Sequence, residues 1–309
     1  MQTQRGREFE DADFFHVSRF WRPRCLSKNT SHMENKLKEF IGHNPIVSNE
    51  VWLEARRDLL KKEKAFTRMR DQLSTERRAL PWVRIDKPYV FDSPEGKKTL
   101  ADLFQGCTQL FIKHFMMGPG WEEGCVGCSF GADHLDAARV HLENHDVSLV
   151  VVSRAPIAEI EAFRRRMGWQ FRWVSSIGND FNYDFHVSFT KEEVAREEAF
   201  YNFENRKLQG GEEAPGLSVF YKDANGDIFH TYSAFARGDE EIVSSYMVLD
   251  MTPKGRNEGA RGNLSHWVRH HDRYEAPGFV DGTGRYHAEQ EPGSCCHGKE
   301  DQKSAEGRV

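Results

Sequence analysis

The sequence has few of the features that mark a membrane protein or a nucleic-acid-binding protein. None of its apolar runs approaches the roughly 20 residues that a membrane helix needs. Acidic residues outnumber basic ones by 48 to 43, and the formal net charge of −5 indicates no general basic surface for a nucleic acid. We therefore expect neither a membrane nor a nucleic acid among the partners of this chain.

Signals for export are also missing. The N-terminal region has no continuous apolar stretch, and it carries acidic side chains that transit peptides avoid, namely Glu8, Glu10, Asp11 and Asp13. Six cysteines in 309 residues are too few for a disulfide scaffold. These absences predict a cytoplasmic location, with thiols reduced at rest. The chain also lacks a phosphate-binding glycine loop, a dinucleotide fingerprint and a Gly-x-Ser-x-Gly elbow, which excludes the commonest nucleotide enzymes and serine hydrolases.

The pattern along the chain predicts one domain between two irregular ends. Residues 1–44 show no periodicity and are expected to form a disordered arm, and residues 282–309, rich in Gly, Glu, Ser and Lys, a disordered tail. Residues 45–281 form the predicted domain, which begins with a long helix over 45–80. Apolar residues recur along this helix at three- and four-residue steps: Trp52, Ala55, Leu59, Phe66, Met69 and Leu73. Such a stripe packs against the domain or pairs in a coiled coil.

Beyond Pro81, which ends the long helix, strands and helices alternate. The predicted strands cover 110–115, 147–153, 171–176, 217–221 and 228–235. The predicted helices cover 129–144, 156–167, 191–203 and 239–249. The last two strands flank Asp-Ala-Asn-Gly at 223–226, which is a strong signal of a hairpin turn. This order predicts an α/β domain with a mixed sheet flanked by helices.

Two cysteines, Cys125 and Cys128, follow the strand at 110–115 and stand at the start of the next helix. Backbone N–H groups at a helix start stabilise negative charge, and the thiolate is the form of cysteine that attacks a disulfide. The two-residue spacing allows the second sulfur to reach the first. We expect Cys125, at the outer end, to attack and Cys128, one turn further in, to resolve. Trp121 is placed to shield one side of the pair.

Other uses of these cysteines are weaker predictions. Zinc sites share the spacing but need about four ligands. Cys107 lies in a different turn, while Cys295 and Cys296 are contiguous in the expected tail. We therefore expect no metal and no bound cofactor. Structurally inert cysteines are the remaining alternative to a redox dithiol.

Several short segments carry a resemblance to a known family. They are Ala-Leu-Pro-Trp-Val-Arg (79–84), His-Phe-Met-Met-Gly-Pro-Gly-Trp (114–121), Gly-Cys-Val-Gly-Cys-Ser (124–129), Ser-Arg-Ala-Pro (153–156), Met-Gly-Trp (167–169), Asp-Phe-Asn-Tyr-Asp (180–184), His-Thr-Tyr-Ser (230–233) and Leu-Asp-Met-Thr-Pro-Lys-Gly-Arg (249–256). Together they resemble an uncharacterised bacterial family of thioredoxin-like proteins described as predicted dithiol–disulfide oxidoreductases. The resemblance implies a thioredoxin-like fold and thiol–disulfide exchange.

Further residues are candidates for lining the site. The resemblance to thioredoxin-like proteins suggests that Pro215 is a cis-proline facing the dithiol, or else a plain loop proline. Arg154, at the end of a central strand, either lowers the thiolate pKa or faces solvent. His230 and Tyr232 share one strand face by two-residue alternation, and they line either the site or a half-exposed sheet surface.

The expected function is thiol–disulfide exchange between this dithiol and a disulfide-containing protein or small molecule, with a cellular thiol as reductant. An interaction protein with a non-catalytic dithiol is the alternative, and a thiol-dependent peroxidase is the third. Peroxiredoxins are expected to carry Thr or Ser three residues before the peroxidatic cysteine, whereas Glu122 stands there in this chain. Glu122 and Glu123 would also raise the pKa of Cys125 unless a cation offsets them. The oligomeric state cannot be inferred from these patterns.

Overall fold

The computed structural model describes residues 44–208, 211–256 and 267–288. The chain divides into two compact units, residues 1–72 and 73–309. Helix α1 (Asn49–Arg78) begins in the first unit. No residue of α1 is buried, and Trp52, Phe66 and Met69 are more than half exposed.

The second unit is built on a mixed β-sheet. The strands in chain order are β1 (Val83–Arg84), β2 (Val90–Ser93), β3 (Gly96–Thr99), β4 (Gln109–His114), β5 (Val147–Ser153), β6 (Arg172–Ser175), β7 (Glu198–Tyr201), β8 (Glu204–Lys207), β9 (Gly216–Lys222), β10 (Ile228–Phe235), β11 (Gly278–Val280) and β12 (Tyr286–Ala288). The main sheet has the order β1-β10-β9-β4-β5-β6-β2-β3, and two separate hairpins, β7-β8 and β11-β12, complete the β-structure of the described residues.

Helices connect and cover these strands. They are α2 (Val126–Asn144), α3 (Ile157–Met167), α4 (Phe181–Asp184), α5 (Lys191–Arg196) and α6 (Ser244–Asp250), with 3₁₀ segments at Asp102–Phe104 and Ala236–Ile242. None of the helices in the described part of the chain has the length and apolar character needed to cross a bilayer.

The centre of the sheet has the thioredoxin arrangement. Strands β4 and β5 are parallel and joined through α2, while β9 pairs antiparallel with β4 and β10 pairs antiparallel with β9. The four strands therefore lie in the order β10-β9-β4-β5, a βαβ unit extended by a hairpin. The predicted α/β class and thioredoxin-like fold are confirmed.

Residue alternation along β5 explains why the sheet has a core on each face. Successive strand residues point to opposite faces. Val150 and Val152 belong to one buried apolar cluster, whereas Leu149 and Val151 belong to another. The second cluster includes Cys125 and Cys128, so the dithiol lies on the sheet face that this cluster covers.

Three predicted elements differ from the structure. The helix predicted over 191–203 ends at Arg196, because Glu197 adopts a left-handed conformation and the chain turns into β7. The final helix is divided into a 3₁₀ segment, which begins at Ala236, and α6. Part of the segment expected as a tail from 282 forms β12, which pairs with β11 as far as Ala288. The predicted arm, apart from residue 44, and the tail beyond 288 lie outside the described residues.

Candidate active site

Cys125 stands immediately before α2, where the loop from β4 enters the helix. Its backbone N–H donates to the carbonyl of Met116 at 3.0 Å, and its own carbonyl accepts from the N–H and the hydroxyl of Ser129, each at 2.9 Å. Cys128 lies within the first turn of α2. The predicted placement of the two cysteines at a helix start is therefore present.

The loop after β4 is held against the segment after β5. The Phe115 N–H donates to the carbonyl of Val152 at 2.9 Å, and the Ala155 N–H donates to the carbonyl of Met117 at 2.8 Å. Because parallel strands end at the same sheet edge, this edge gathers the dithiol loop and Arg154. Pro215 directly precedes β9, whose Gly216 pairs with His114 at the end of β4. The described residues contain no cis peptide bond, so of the two alternatives for Pro215 the structure has the plain loop proline.

Both thiols are free, and they affect each other in opposite directions. The Cys128 thiol donates a hydrogen bond to Cys125 and lowers the pKa of Cys125 to about 7, an effect that burial opposes and that the N–H groups of Cys128 and Gly127 strengthen. The same hydrogen bond, together with burial, raises the pKa of Cys128. Cys128 also accepts a hydrogen bond from the Met116 N–H at 3.5 Å. The pair therefore consists of one sulfur suited to be a thiolate and one that holds its proton.

A buried cation faces this pair. Lys113, on β4, is 1% exposed and forms an ion pair with Asp239 in the 3₁₀ segment. Burial acts to lower the pKa of Lys113, but the attractions of Asp239 and of the two cysteines outweigh burial and raise it. Burial raises the pKa of Asp239 despite this partner. The positive charge of Lys113 contributes to the lowered pKa of Cys125.

Glu123, two residues before Cys125, has its charge compensated. Its carboxylate pairs with the guanidinium of Arg166, with that of Arg273 at 3.0 Å, and lies 3.3 Å from His270 Nδ1. The neighbouring imidazole of His270, followed by the attraction of Arg166, lowers the pKa of Glu123 to about 2. The cations that were needed to offset this carboxylate are therefore in place, and Glu122 is exposed.

A C-terminal segment covers the start of α2. The Val126 N–H donates to the carbonyl of Gly284 at 2.8 Å, and His270 Nε2 donates to the carbonyl of Gly124 at 2.9 Å. The guanidinium of Arg285 lies 4.7 Å from the ring centroid of Trp121. Cys125 and Cys128 are only 4% and 3% exposed. Both thiols are therefore sheltered from solvent.

Arg154, His230 and Tyr232 are the remaining residues that were predicted to line the site. Arg154 pairs with Glu213 at 2.6 Å and with Glu212 at 3.2 Å, so its charge is compensated there, and the cation acting on Cys125 is Lys113. The two-residue alternation of His230 and Tyr232 is broken by a bulge between them in β10.

His230 instead belongs to a buried polar chain across the sheet. His230 Nε2 lies 2.7 Å from Ser233 Oγ, which lies 2.9 Å from Ser218 Oγ, and that oxygen lies 2.8 Å from His114 Nε2. Tyr232 and His230 line a pocket along β10. The structure thus places these two predicted residues in a polar network and a pocket of their own strand.

Sequence reasoning missed Lys113, Asp239 and His270. A lysine within an otherwise apolar predicted strand was a signal that could have identified Lys113, because a buried lysine needs a partner. Asp239 and His270 lie in ordinary polar segments and carried no local signal. No group of three or more His, Cys, Asp or Glu side chains in the described residues is arranged to hold a metal ion.

A family model described as a bacterial protein of unknown function (DUF899) matches residues 41–274. No curated protein sequence matches the chain. Among solved structures, a cysteine-to-serine mutant of the Xylella fastidiosa protein PrxQ is 14% identical over 53% of this chain and 89% of that chain, with a TM-score of 0.33. The peroxidoxin BcpB from Mycobacterium tuberculosis is 11% identical over 53% and 94%, with a TM-score of 0.34. A putative protein disulfide isomerase from Bacteroides thetaiotaomicron is 14% identical over 56% and 92%, with a TM-score of 0.31.

Proposed function

The chain belongs to this bacterial family of unknown function, and we propose that it is a dithiol–disulfide oxidoreductase with Cys125 as the attacking thiol and Cys128 as the resolving thiol. The observation that carries the proposal is the arrangement of the two free thiols at the start of α2. Cys125 accepts hydrogen bonds from the Cys128 thiol and from backbone N–H groups, and Lys113 adds a buried positive charge. These groups all stabilise a thiolate, which is the nucleophile in thiol–disulfide exchange.

In the first step the Cys125 thiolate attacks one sulfur of a substrate disulfide. The substrate S–S bond breaks, a mixed disulfide forms between Cys125 and the substrate, and the other substrate sulfur leaves as a thiolate that takes a proton from solvent. A pKa of about 7 suits this task, since it yields a substantial thiolate fraction at neutral pH without excessive loss of nucleophilicity.

In the second step Cys128 loses its proton and attacks Cys125 Sγ. The mixed disulfide breaks, the second substrate sulfur leaves as a thiolate and is protonated, and the Cys125–Cys128 disulfide forms. Two electrons have then passed from the dithiol to the substrate. Once Cys125 is in the mixed disulfide it carries no negative charge, so the interaction that raises the pKa of Cys128 is removed. A cellular thiol reductant, present in the cytoplasm, would reduce the disulfide for the next cycle.

The substrate would be a disulfide-containing protein or small molecule. It must enter where the C-terminal segment now covers Val126 and Gly124. We propose that this cover opens locally while the sheet stays intact.

Redox titration and trapping test this proposal together. The protein is equilibrated in buffers of reduced and oxidised dithiothreitol, and the Cys125–Cys128 disulfide is quantified by alkylation and mass spectrometry. The Cys128→Ser variant is then mixed with intact insulin, which carries disulfide bonds, and with oxidised glutathione, and the mixed disulfide is isolated. We expect a single two-electron transition in the wild type and accumulation of a mixed disulfide through Cys125 in Cys128→Ser.

The matched variants decide between the alternatives. Cys125→Ser should form no mixed disulfide at this site, because Cys128, the other thiol of the pair, is buried and keeps its proton. If no disulfide forms between the two cysteines at any potential, the oxidoreductase proposal is wrong and the dithiol is non-catalytic. Consumption of hydrogen peroxide faster than exchange with insulin would instead favour the peroxidase.

A further inference from the structure

A pocket of about 880 Å3 runs along strand β10. Every residue from His230 to Gly238 lines it. Alternate residues of a strand point to opposite faces, so a pocket on one face would be lined by every second residue. Lining by consecutive residues indicates that this pocket follows the edge of the strand, along which Ser233, Ala234 and Phe235 are 7–8% exposed.

Among the described residues, the β10 edge beyond His230 has no strand partner on this side, because the neighbouring strand is short. Strand β1 pairs with β10 through Val83 with His230 and Arg84 with Phe229. Pro81, which precedes β1 in the chain, has no backbone N–H and therefore cannot extend the pairing between β1 and β10. Within the described residues, the part of β10 from Tyr232 to Phe235 pairs with β9 and with no other strand. An open strand edge is a ready template for another extended chain.

Residues outside β10 also line this pocket, which we call the groove. They include Leu80 and Pro81, which precede β1, and Asn202, Phe203 and Arg206 of the β7–β8 hairpin. Phe203 packs against Phe235, with ring centroids 5.3 Å apart. A groove of this volume holds a short extended segment with its side chains.

The charged residues that line the groove are positive. They are Arg206 and Arg237, and no aspartate or glutamate is among the lining residues. Both arginines are paired with glutamates outside the groove, Arg206 with Glu204 at 2.6 Å and Arg237 with Glu240 at 2.9 Å. Their side chains are 44% and 62% exposed. Exposed ion pairs contribute about 0–1 kcal/mol, so either guanidinium can exchange its partner for a carboxylate of a ligand.

We propose that this groove binds an extended, acidic peptide segment of a partner protein, which adds as a further strand to β10. Strand addition uses the open backbone edge for affinity, and side-chain contacts along the groove supply selectivity. Arg206 and Arg237 select acidic side chains, and Phe203 contacts the apolar residues between them. The proposal does not depend on the chemistry of Cys125, although the 3₁₀ segment that ends the groove also carries Asp239.

The test uses a fluorescein-labelled nine-residue peptide of alternating Glu and Val, and the same peptide with Lys in place of Glu. Binding to the full chain is followed by fluorescence anisotropy at low salt. We expect saturable binding of the Glu peptide and none of the Lys peptide. The variant Arg206→Glu/Arg237→Glu should weaken binding at least tenfold. The control variant Arg165→Glu removes an exposed arginine on α3, outside the groove, and should bind as the wild type does.

Backbone methylation separates strand addition from simple anion binding. Two versions of the Glu peptide are prepared. In one, the backbone nitrogens along one edge of the extended peptide are methylated, and in the other, those along the opposite edge are methylated. Only the version methylated on the bonding edge should lose affinity, and the unmodified peptide should protect β10 amides from hydrogen exchange. Equal affinity of both methylated peptides, or displacement by free glutarate at equal concentration, would show a small-anion pocket and overturn strand addition. Unchanged binding by the double arginine variant would show that the groove is not the binding site of the peptide.

Discussion

Lys113 and Asp239 form a buried ion pair across 126 residues of sequence. Lys113 projects from the central strand β4, whereas Asp239 comes from the 3₁₀ segment after β10. The lysine also attracts both cysteines. The buried Lys113 cation thus binds the 3₁₀ segment after β10 and also attracts the two cysteines of the dithiol.

Removing one member of this pair should be costly. Lys113→Met leaves the Asp239 carboxylate buried without its cation, and we expect a loss of about 3–5 kcal/mol in the free energy of unfolding. Lys113→Met/Asp239→Asn removes both charges and should recover much of that loss. In both variants the pKa of Cys125 should rise toward the value of about 8.5 of a free thiol, because the attracting charge is gone. Urea unfolding and pH-dependent alkylation measure the two effects. A stable double variant with the wild-type pKa would show that Lys113 does not act on Cys125.

The Cys128 thiol should tune Cys125 as a hydrogen-bond donor. Cys128→Ala removes the donor and should raise the pKa of Cys125 above its present value of about 7. Cys128→Ser keeps an O–H donor and should cause a smaller rise. The rate of alkylation by iodoacetamide between pH 5 and 10 reports the midpoint in each variant. Identical midpoints in the alanine and serine variants would argue against this hydrogen bond.

Truncation should expose the nucleophile. A chain that ends at Ala276 lacks the β11–β12 hairpin and the Gly284 carbonyl that holds Val126. We expect Cys125 in this chain to be alkylated at least tenfold faster at a fixed pH. A chain that ends at Ala288 keeps the hairpin and is the matched control. Equal alkylation rates in the two truncated chains would mean that the hairpin does not limit access. Circular dichroism is the control that checks whether both truncated chains are folded.

Gly124 is required by close packing beside the dithiol. A Cβ atom at this position would lie 2.3 Å from Phe115 Cε1 and 2.9 Å from Phe163 Cε1, and both rings are buried. We expect Gly124→Ala to lower the free energy of unfolding by about 1–3 kcal/mol, as overpacked cores do. Gly282→Ala has no atom within 4 Å of the new Cβ and should change stability by less than about 0.5 kcal/mol. Equal stability of the two variants in urea would contradict the close approach.

His114 should make the fold sensitive to acid. Burial, followed by the charge of Lys113, lowers the pKa of His114 from 6.5 to about 3. The unfolded chain therefore binds a proton that the folded chain excludes, and stability falls as the pH drops from 6.5 toward 3. The slope from this group is at most about 1.4 kcal/mol per pH unit.

Removing His114 tests this contribution. His114→Gln should flatten the stability curve in this pH range, while its stability at pH 7 is lower because the hydrogen bond to Ser218 is altered. His141→Gln, at an exposed position on α2, should keep the wild-type slope. Urea unfolding at half-unit pH steps gives both curves. A variant curve as steep as that of the wild type would assign the acid sensitivity to other groups.

Much of the fold was predictable because its signals are local. The apolar run at 147–153 and the proline at 156 predicted β5 and the start of α3 closely. The turn at 223–226 predicted the β9–β10 hairpin. The helix expected over 191–203 failed because a left-handed residue at Glu197, which composition does not reveal, redirects the chain.

The sequence by itself determined the position of the dithiol, since the order of strand, loop and helix around Cys125 and Cys128 is encoded within a few residues. Only the tertiary structure decided which charges act on it. Lys113 rather than Arg154 faces the thiols, and Glu123 is neutralised by Arg166 and Arg273. The burial of both cysteines under the segment at 267–288 was equally unforeseen. Electrostatic and solvent effects act through space between residues distant in the chain, and a local pattern does not contain those distances.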